Sequence, residues 1–168
     1  PIFILGHSMG GLIAFNTAFF LKEKFNVPTE MIFITSSIPD LASAIRISGA
    51  STQEMSDDEF CDALINFGAM DKKTMKFREF RQVFLPVIRA DFRLVEEYRA
   101  DKSRVIDTDI YVYAGSEDKI FSTDSISEWQ KYTTGEVNCC IKDGGHFFVK
   151  DCKKELYENI NELIHRRI

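Results

Sequence analysis

Ile2-Phe3-Ile4-Leu5-Gly6-His7-Ser8-Met9-Gly10-Gly11 joins an apolar run of strand length to a Gly-x-Ser-x-Gly turn. Beyond it, Leu12, Phe15, Ala18 and Phe19 recur at helical spacing, and charge collects at Lys22-Glu23-Lys24, which predicts a helix over 11–25. A strand that turns sharply into a helix through this pattern is the setting of a nucleophile elbow. The turn is tight enough that the positions flanking the serine, Gly6 and Gly10, are expected to be small. It lifts the Ser8 hydroxyl at the carboxyl edge of a sheet, where open α/β folds collect their ligands. The competing reading gives the glycines a purely structural role in the turn.

A serine hydroxyl needs a base to take its proton and a third group to orient that base. The chain has three histidines. His7 lies inside the elbow, and its side chain is expected to leave the turn in a different direction from Ser8. His165, in Ile164-His165-Arg166-Arg167, is expected to face solvent or close a helix end. His146 remains. It follows the strand-like Val137–Ile141, and Gly144-Gly145 permit a loop that carries an imidazole over a neighbouring strand end.

The orienting acid is sought between them in sequence, because the α/β-hydrolase order is serine, acid, histidine. Asp109-Ile110-Tyr111-Val112-Tyr113 reads as a strand, and Gly115-Ser116-Glu117-Asp118 follows it. Asp118, just past the strand end, fits best, with Glu117 its nearest rival. Asp124 reads as the N-cap of a helix over 125–131, Asp143 is too close in sequence to His146, and Asp107 and Asp109 sit at the wrong end of the strand.

Elsewhere, 30–35 reads as a further strand, and between about 40 and 105 the strand signal disappears. Ser56-Asp57-Asp58-Glu59 is a capping box that opens a helix running to Gly68. Residues 75–98 read as one or two helices, kinked or divided at Pro86. Their recurrent apolar positions, Phe77, Phe80, Val83, Phe84, Val87, Ile88, Phe92, Val95 and Tyr98, are expected to be mostly core. The charges beside them, Arg89, Asp91, Arg93, Glu96, Glu97 and Arg99, read first as i,i+4 pairs on a solvated helix. A sharper reading makes them a docking surface that steers an acidic partner.

Four stretches together look like a type II thioesterase, the stand-alone editing enzyme of nonribosomal peptide and polyketide synthesis. They are residues 6–11, the run Leu85-Pro86-Val87-Ile88-Arg89-Ala90-Asp91-Phe92-Arg93-Leu94-Val95-Glu96-Glu97-Tyr98, residues 115–118, and Gly144-Gly145-His146-Phe147-Phe148. The elbow is shared by many hydrolases; the second stretch is specific to this group. The resemblance implies an α/β-hydrolase fold: a mostly parallel sheet with flanking helices and an all-helical lid. The core is expected at 1–39 and 106–168 and the lid at about 40–105.

The resemblance also implies Ser8, Asp118 and His146 as the triad and the backbone N–H of Met9 as one oxyanion donor, with no metal or organic cofactor. The implied substrate is an acyl thioester on the phosphopantetheine arm of a carrier protein, which would be the partner. The resembling family has further strands and a second oxyanion donor ahead of the elbow, so the chain is expected to be a fragment whose own activity is reduced; one lost donor costs about 100- to 1,000-fold. A medium-chain fatty acyl-carrier thioesterase, a carboxylesterase or lipase, and a non-catalytic carrier-binding fragment are the alternatives.

Composition fits this picture. The 168 residues are 45% hydrophobic, enough for one core, and no apolar run approaches the ~18 residues of a membrane span. A net charge of −5 argues against nucleic acid as a partner. Cys61, Cys139, Cys140 and Cys152 lack metal-ligand spacing and read as free, mostly buried thiols of a cytoplasmic, monomeric protein.

Overall fold

The computed structural model describes residues 1–46 and 50–168. Four strands, β1 (Phe3–His7), β2 (Met31–Thr35), β3 (Asp109–Gly115) and β4 (Val137–Lys142), form one sheet in that spatial order, every pair parallel. Helix α1 (Met9–Phe25) links β1 to β2. The β2–β3 connection holds α2 (Leu41–Ala44), α3 (Asp57–Asn66) and α4 (Arg78–Glu97), and α5 (Lys153–Arg167) follows β4. The expected parallel α/β sheet with flanking helices is the fold observed.

Alternation along the strands sorts the core into two layers. Ile32, Ile34, Ile110 and Val112 face Leu12, Phe15 and Ala18 of α1, together with Trp129 and Tyr132. Met31, Phe33 and Tyr113 point the other way, onto Phe148 and onto Leu156 and Ile160 of α5. All five β2 residues are therefore buried, as befits an inner parallel strand covered on both faces. Helix α1 ends at Asn26, whose positive φ of 52° turns the chain back so that Asn26 N–H donates to the Lys22 carbonyl and Val27 N–H to that of Leu21.

The capping box is formed, Ser56 accepting from Glu59 N–H while the Glu59 carboxylate accepts from Ser56 N–H. The division expected at Pro86 does not occur: helix α4 continues through it, and Pro86 leaves the Gln82 carbonyl without its helical donor.

Other expectations are corrected. Residues 123–132 wind as successive 3-10 turns, and Ser122, whose hydroxyl accepts the Asp124 N–H, is the cap in place of Asp124. Helix α4 turns Phe80, Leu85, Ile88, Phe92 and Val95 inward, while Val83, Phe84 and Val87 are exposed, as is Phe77 at its N-cap. The apolar periodicity of this helix thus overstates its buried face. Of the free cysteines only Cys61 is buried, and Cys139 is exposed because β4 lies at the sheet edge.

The segment between β2 and β3 builds a core of its own from Phe60, Leu64, Met75 and Leu85. Phe92 joins that core to the main one, its ring set edge-on against Phe60 and stacked on Phe67.

Arg89 serves this packing. Its guanidinium donates to the Thr52 carbonyl at 2.5 Å, pairs with Asp57 at 3.0 Å and lies over the Phe60 ring. Glu96, buried, accepts from Thr52 N–H at 2.6 Å and from the Ser51 hydroxyl, while Arg93 pairs with Glu97 four residues on. These charges fasten α4 to residues 51–57 or to one another, which favours the simpler reading of that face.

Candidate active site

The sheet's carboxyl edge places the site. Register pairs His7 with Thr35 and Thr35 with Tyr113, so the residues following β1, β2 and β3 leave the sheet side by side.

Ser8 occupies the turn between β1 and α1 with φ 53° and ψ −121°, a backbone conformation that L residues rarely adopt and that clusters at functional sites. Its N–H donates to the Thr35 carbonyl at 2.8 Å, and its own carbonyl accepts from Gly11 N–H at 2.8 Å. Gly6 is small by necessity: a Cβ there would lie 2.0 Å from the Gly10 carbonyl oxygen. Gly10 faces open space, so the expectation that it too must be small is corrected. Its neighbour Gly11 carries that constraint, since a Cβ there would meet the Ser37 side chain at 2.8 Å.

His146 reaches Ser8 from the loop after β4. Its Nε2 lies 2.9 Å from Ser8 Oγ and its Nδ1 lies 2.8 Å from Asp118 Oδ2. An ionised carboxylate only accepts, so Nδ1 carries the proton and Nε2 is free to accept from the serine hydroxyl. Both side chains are withdrawn from solvent, 2% exposed for His146 and 0% for Asp118. The second Asp118 oxygen accepts from Ile120 N–H at 2.9 Å, which fixes the carboxylate plane.

The histidine loop sits directly on the end of β3. A Cβ at Gly115 would come within 2.3 Å of the Gly145 carbonyl oxygen and 2.4 Å of that of Gly144. Glu117, the rival acid, is exposed and gives only its N–H to the Gly144 carbonyl. Asp143 and His165 are exposed, and Asp107 and Asp109 lie at the far end of the sheet, facing Lys22 and Arg167 respectively.

His7 bonds to Thr35 and not to Ser8. Its ring lies 5.3 Å from that of His146 and shares a hydrogen bond with Thr35 Oγ1 at 2.9 Å, while its Nε2 is buried without a partner. Burial first, and the neighbouring His146 second, push its pKa down to about 4, so His7 is neutral near pH 7. Nothing in the elbow motif signals this contact, which the tertiary fold creates.

Met9 is the first residue of α1, so its N–H has no partner within the helix and points out of the helix start beside Ser8. In front of the serine lies a cavity of about 210 Å³, below the ~300–1,000 Å³ common for drug-sized ligands. Leu41, Ile45, Phe67, Phe92, Val95 and Ile120 give it apolar walls. Most of these come from the segment after β2, where the sequence supplies periodicity but no sign of which positions face the serine. Among the described residues, no group of His, Cys, Asp or Glu is arranged to hold a metal ion.

The sequence model of the thioesterase domain matches residues 1–167. The chain belongs to that family. Among its relatives, the gramicidin S biosynthesis protein GrsT of Aneurinibacillus migulanus is 27% identical over 158 residues, which cover 94% of this chain and 60% of that protein. The human medium-chain S-acyl fatty acid synthase thioesterase is 31% identical, with 92% of this chain and 58% of that one covered. The solved structure of BorB, a type II thioesterase from the borrelidin biosynthetic cluster, superposes with a TM-score of 0.80 at 25% identity, covering 96% of this chain and 64% of that one. The chain thus spans about three-fifths of the length of the curated relatives just named. No helix among its described residues is long and apolar enough to cross a membrane.

Proposed function

We propose that the protein is a serine thioesterase of the type II editing class, which removes short acyl groups from the phosphopantetheine arm of carrier proteins. The observation that carries this reading is the Ser8–His146–Asp118 line, hydrogen-bonded at 2.9 and 2.8 Å in the order the chemistry needs. His146 takes the serine proton as Ser8 Oγ attacks the thioester carbonyl. Asp118 keeps the proton on Nδ1 and stabilises the imidazolium that forms. Met9 N–H meets the developing oxyanion, an interaction strongest in the transition state. His146 then protonates the departing thiolate, and the same base activates water to release the acid from Ser8.

Residues 40–105 act in this reading as a lid, and its apolar wall over Ser8 takes the acyl chain. Relatives named for antibiotic clusters support the carrier-bound substrate, and a soluble, cytoplasmic setting accords with it.

The test compares release of acetate from an acetyl-phosphopantetheinyl carrier with hydrolysis of a matched oxygen ester, with Ser8→Ala as control. Fast release from the carrier, slow ester cleavage and none in the variant is the expected result. Preference for the oxygen ester would move the protein to the esterases, and preference for octanoyl over acetyl would move it to the fatty-acyl thioesterases.

A further inference from the structure

The end of β2 holds both reacting groups. Thr35, its last residue, accepts the Ser8 N–H at 2.8 Å. The next residue, Ser36, is fully buried and donates its hydroxyl to the backbone carbonyl of His146 at 2.7 Å. Its N–H is spent on the Tyr113 carbonyl at 2.8 Å, so the residue is anchored to the sheet from which it reaches. Two consecutive residues thus grip the nucleophile on one side and the base on the other.

The grip matters because of what carries His146. Asp118 aims the ring at its Nδ1, but the distance of the ring from Ser8 depends on where its backbone lies. That backbone hangs on Asp143-Gly144-Gly145, with Gly144 at φ +118°, a loop that has few side chains to anchor it. Among the described residues, Ser36 Oγ is the donor that reaches the His146 carbonyl.

Ser36 also holds a positive φ of 50°, which favours glycine. Glycine would take that conformation without strain but would offer no hydroxyl. Strain of this kind persists where the surroundings over-determine it, and here they do so beside the reacting pair.

We propose that Ser36 is a positioning residue that sets the Ser8–His146 separation through the carbonyl of His146. The proposal rests on reading Ser8 and His146 as the reacting pair.

Two substitutions separate its parts. Ser36→Gly removes the hydroxyl and the strain together; Ser36→Ala removes the hydroxyl and keeps the strain. The readouts are the phosphonylation rate of Ser8 by a fluorophosphonate, kcat and KM on an acetyl thioester, thermal stability, and the far-downfield proton resonance of His146 Nδ1–H. Ser36→Gly is expected to hold its thermal midpoint but to lose about 10- to 100-fold in kcat and in phosphonylation at unchanged KM, the scale of a displacement near 1 Å. Its downfield resonance is expected to broaden or vanish. Ser36→Ala is expected to lose rate and stability alike, and Ser36→Cys, with its weak donor, to recover part of the rate.

A Ser36→Gly protein that reacts at the wild-type rate with an unchanged resonance overturns the proposal. The resonance reports whether the His146 ring keeps its place against Asp118 once the grip on its backbone is lost, even if wild-type Ser8 proves unreactive, so failure of the catalytic reading is told apart from failure of this one.

Discussion

Lowering the pH from 7 to 5 is predicted to weaken the fold through one neutral histidine. His7 titrates near 4 in the folded chain against 6.5 for the free side chain, first because burial disfavours its cation and then because His146 stands beside it. Between those values the unfolded chain binds a proton that the folded chain refuses, so stability falls as pH falls through the window. At 1.36 kcal/mol per unit the full loss is on the order of 3 kcal/mol below pH 4, with about 2 kcal/mol of it gone by pH 5. The comparison variant is His7→Asn, whose amide takes the place of Nδ1 opposite Thr35 Oγ1 and does not titrate. Urea unfolding at pH 7 and pH 5, followed through the single tryptophan, Trp129, gives the stability of each protein at each pH. Carboxylates titrate alike in both proteins and cancel, as does any loss from the missing ring. The wild type is expected to lose about 2 kcal/mol more than His7→Asn between the two pH values. Equal losses would mean that His7 is solvated or already protonated, and the reasoning from its burial would fail.

Other outcomes follow from the site. Asp118→Asn should remain folded, because the Ile120 N–H bond survives, yet lose roughly 10³- to 10⁴-fold in kcat through loss of the Nδ1–H tautomer; a steady-state rate close to wild type contradicts the triad. Gly115→Ala forces the Gly144 and Gly145 carbonyls away from a Cβ at 2.3–2.4 Å and takes His146 with them; a kcat loss of about 100-fold or more is expected, measured beside a thermal melt. Phe92→Ala enlarges the cavity in front of Ser8 and should shift preference toward longer acyl chains in a competition between acetyl and hexanoyl thioesters, with an unchanged ratio arguing that the chain lies elsewhere.

What the sequence revealed follows the reach of each signal. Ser8 was legible because the elbow couples a local backbone shape to the residue it presents, and Gly6 shows why: the Gly10 carbonyl leaves no room for a Cβ. Asp118 and His146 could be placed because each directly follows a recognisable strand, and strand ends share one edge of a parallel sheet. Ser36 carries no such mark. Thr35-Ser36-Ser37 reads as a polar strand end, and its bond to His146 spans 110 positions. The contact of His7 with His146 carries no mark for the same reason, since it arises only when the segments that follow β1 and β4 come together. The apolar repeat of α4 predicted a helix correctly but not which of its sides is buried, because two different sides carry apolar residues. The 3-10 winding of 123–132 escaped notice because capping residues mark where a helical turn begins and say little about how tightly it winds.

In the proposed reaction Ser8 carries the acyl group between thioester and water. Peptide mass spectrometry after rapid acid quench of the protein mixed with an acetyl-pantetheine thioester tests it most directly, with the exposed Cys139 replaced by serine to prevent simple thiol exchange. An acetyl group is expected on the peptide containing Ser8, formed within one turnover and absent from His146→Ala. Thioester hydrolysis with Ser8 unmodified at every quench time, and undiminished in Ser8→Ala, would contradict it.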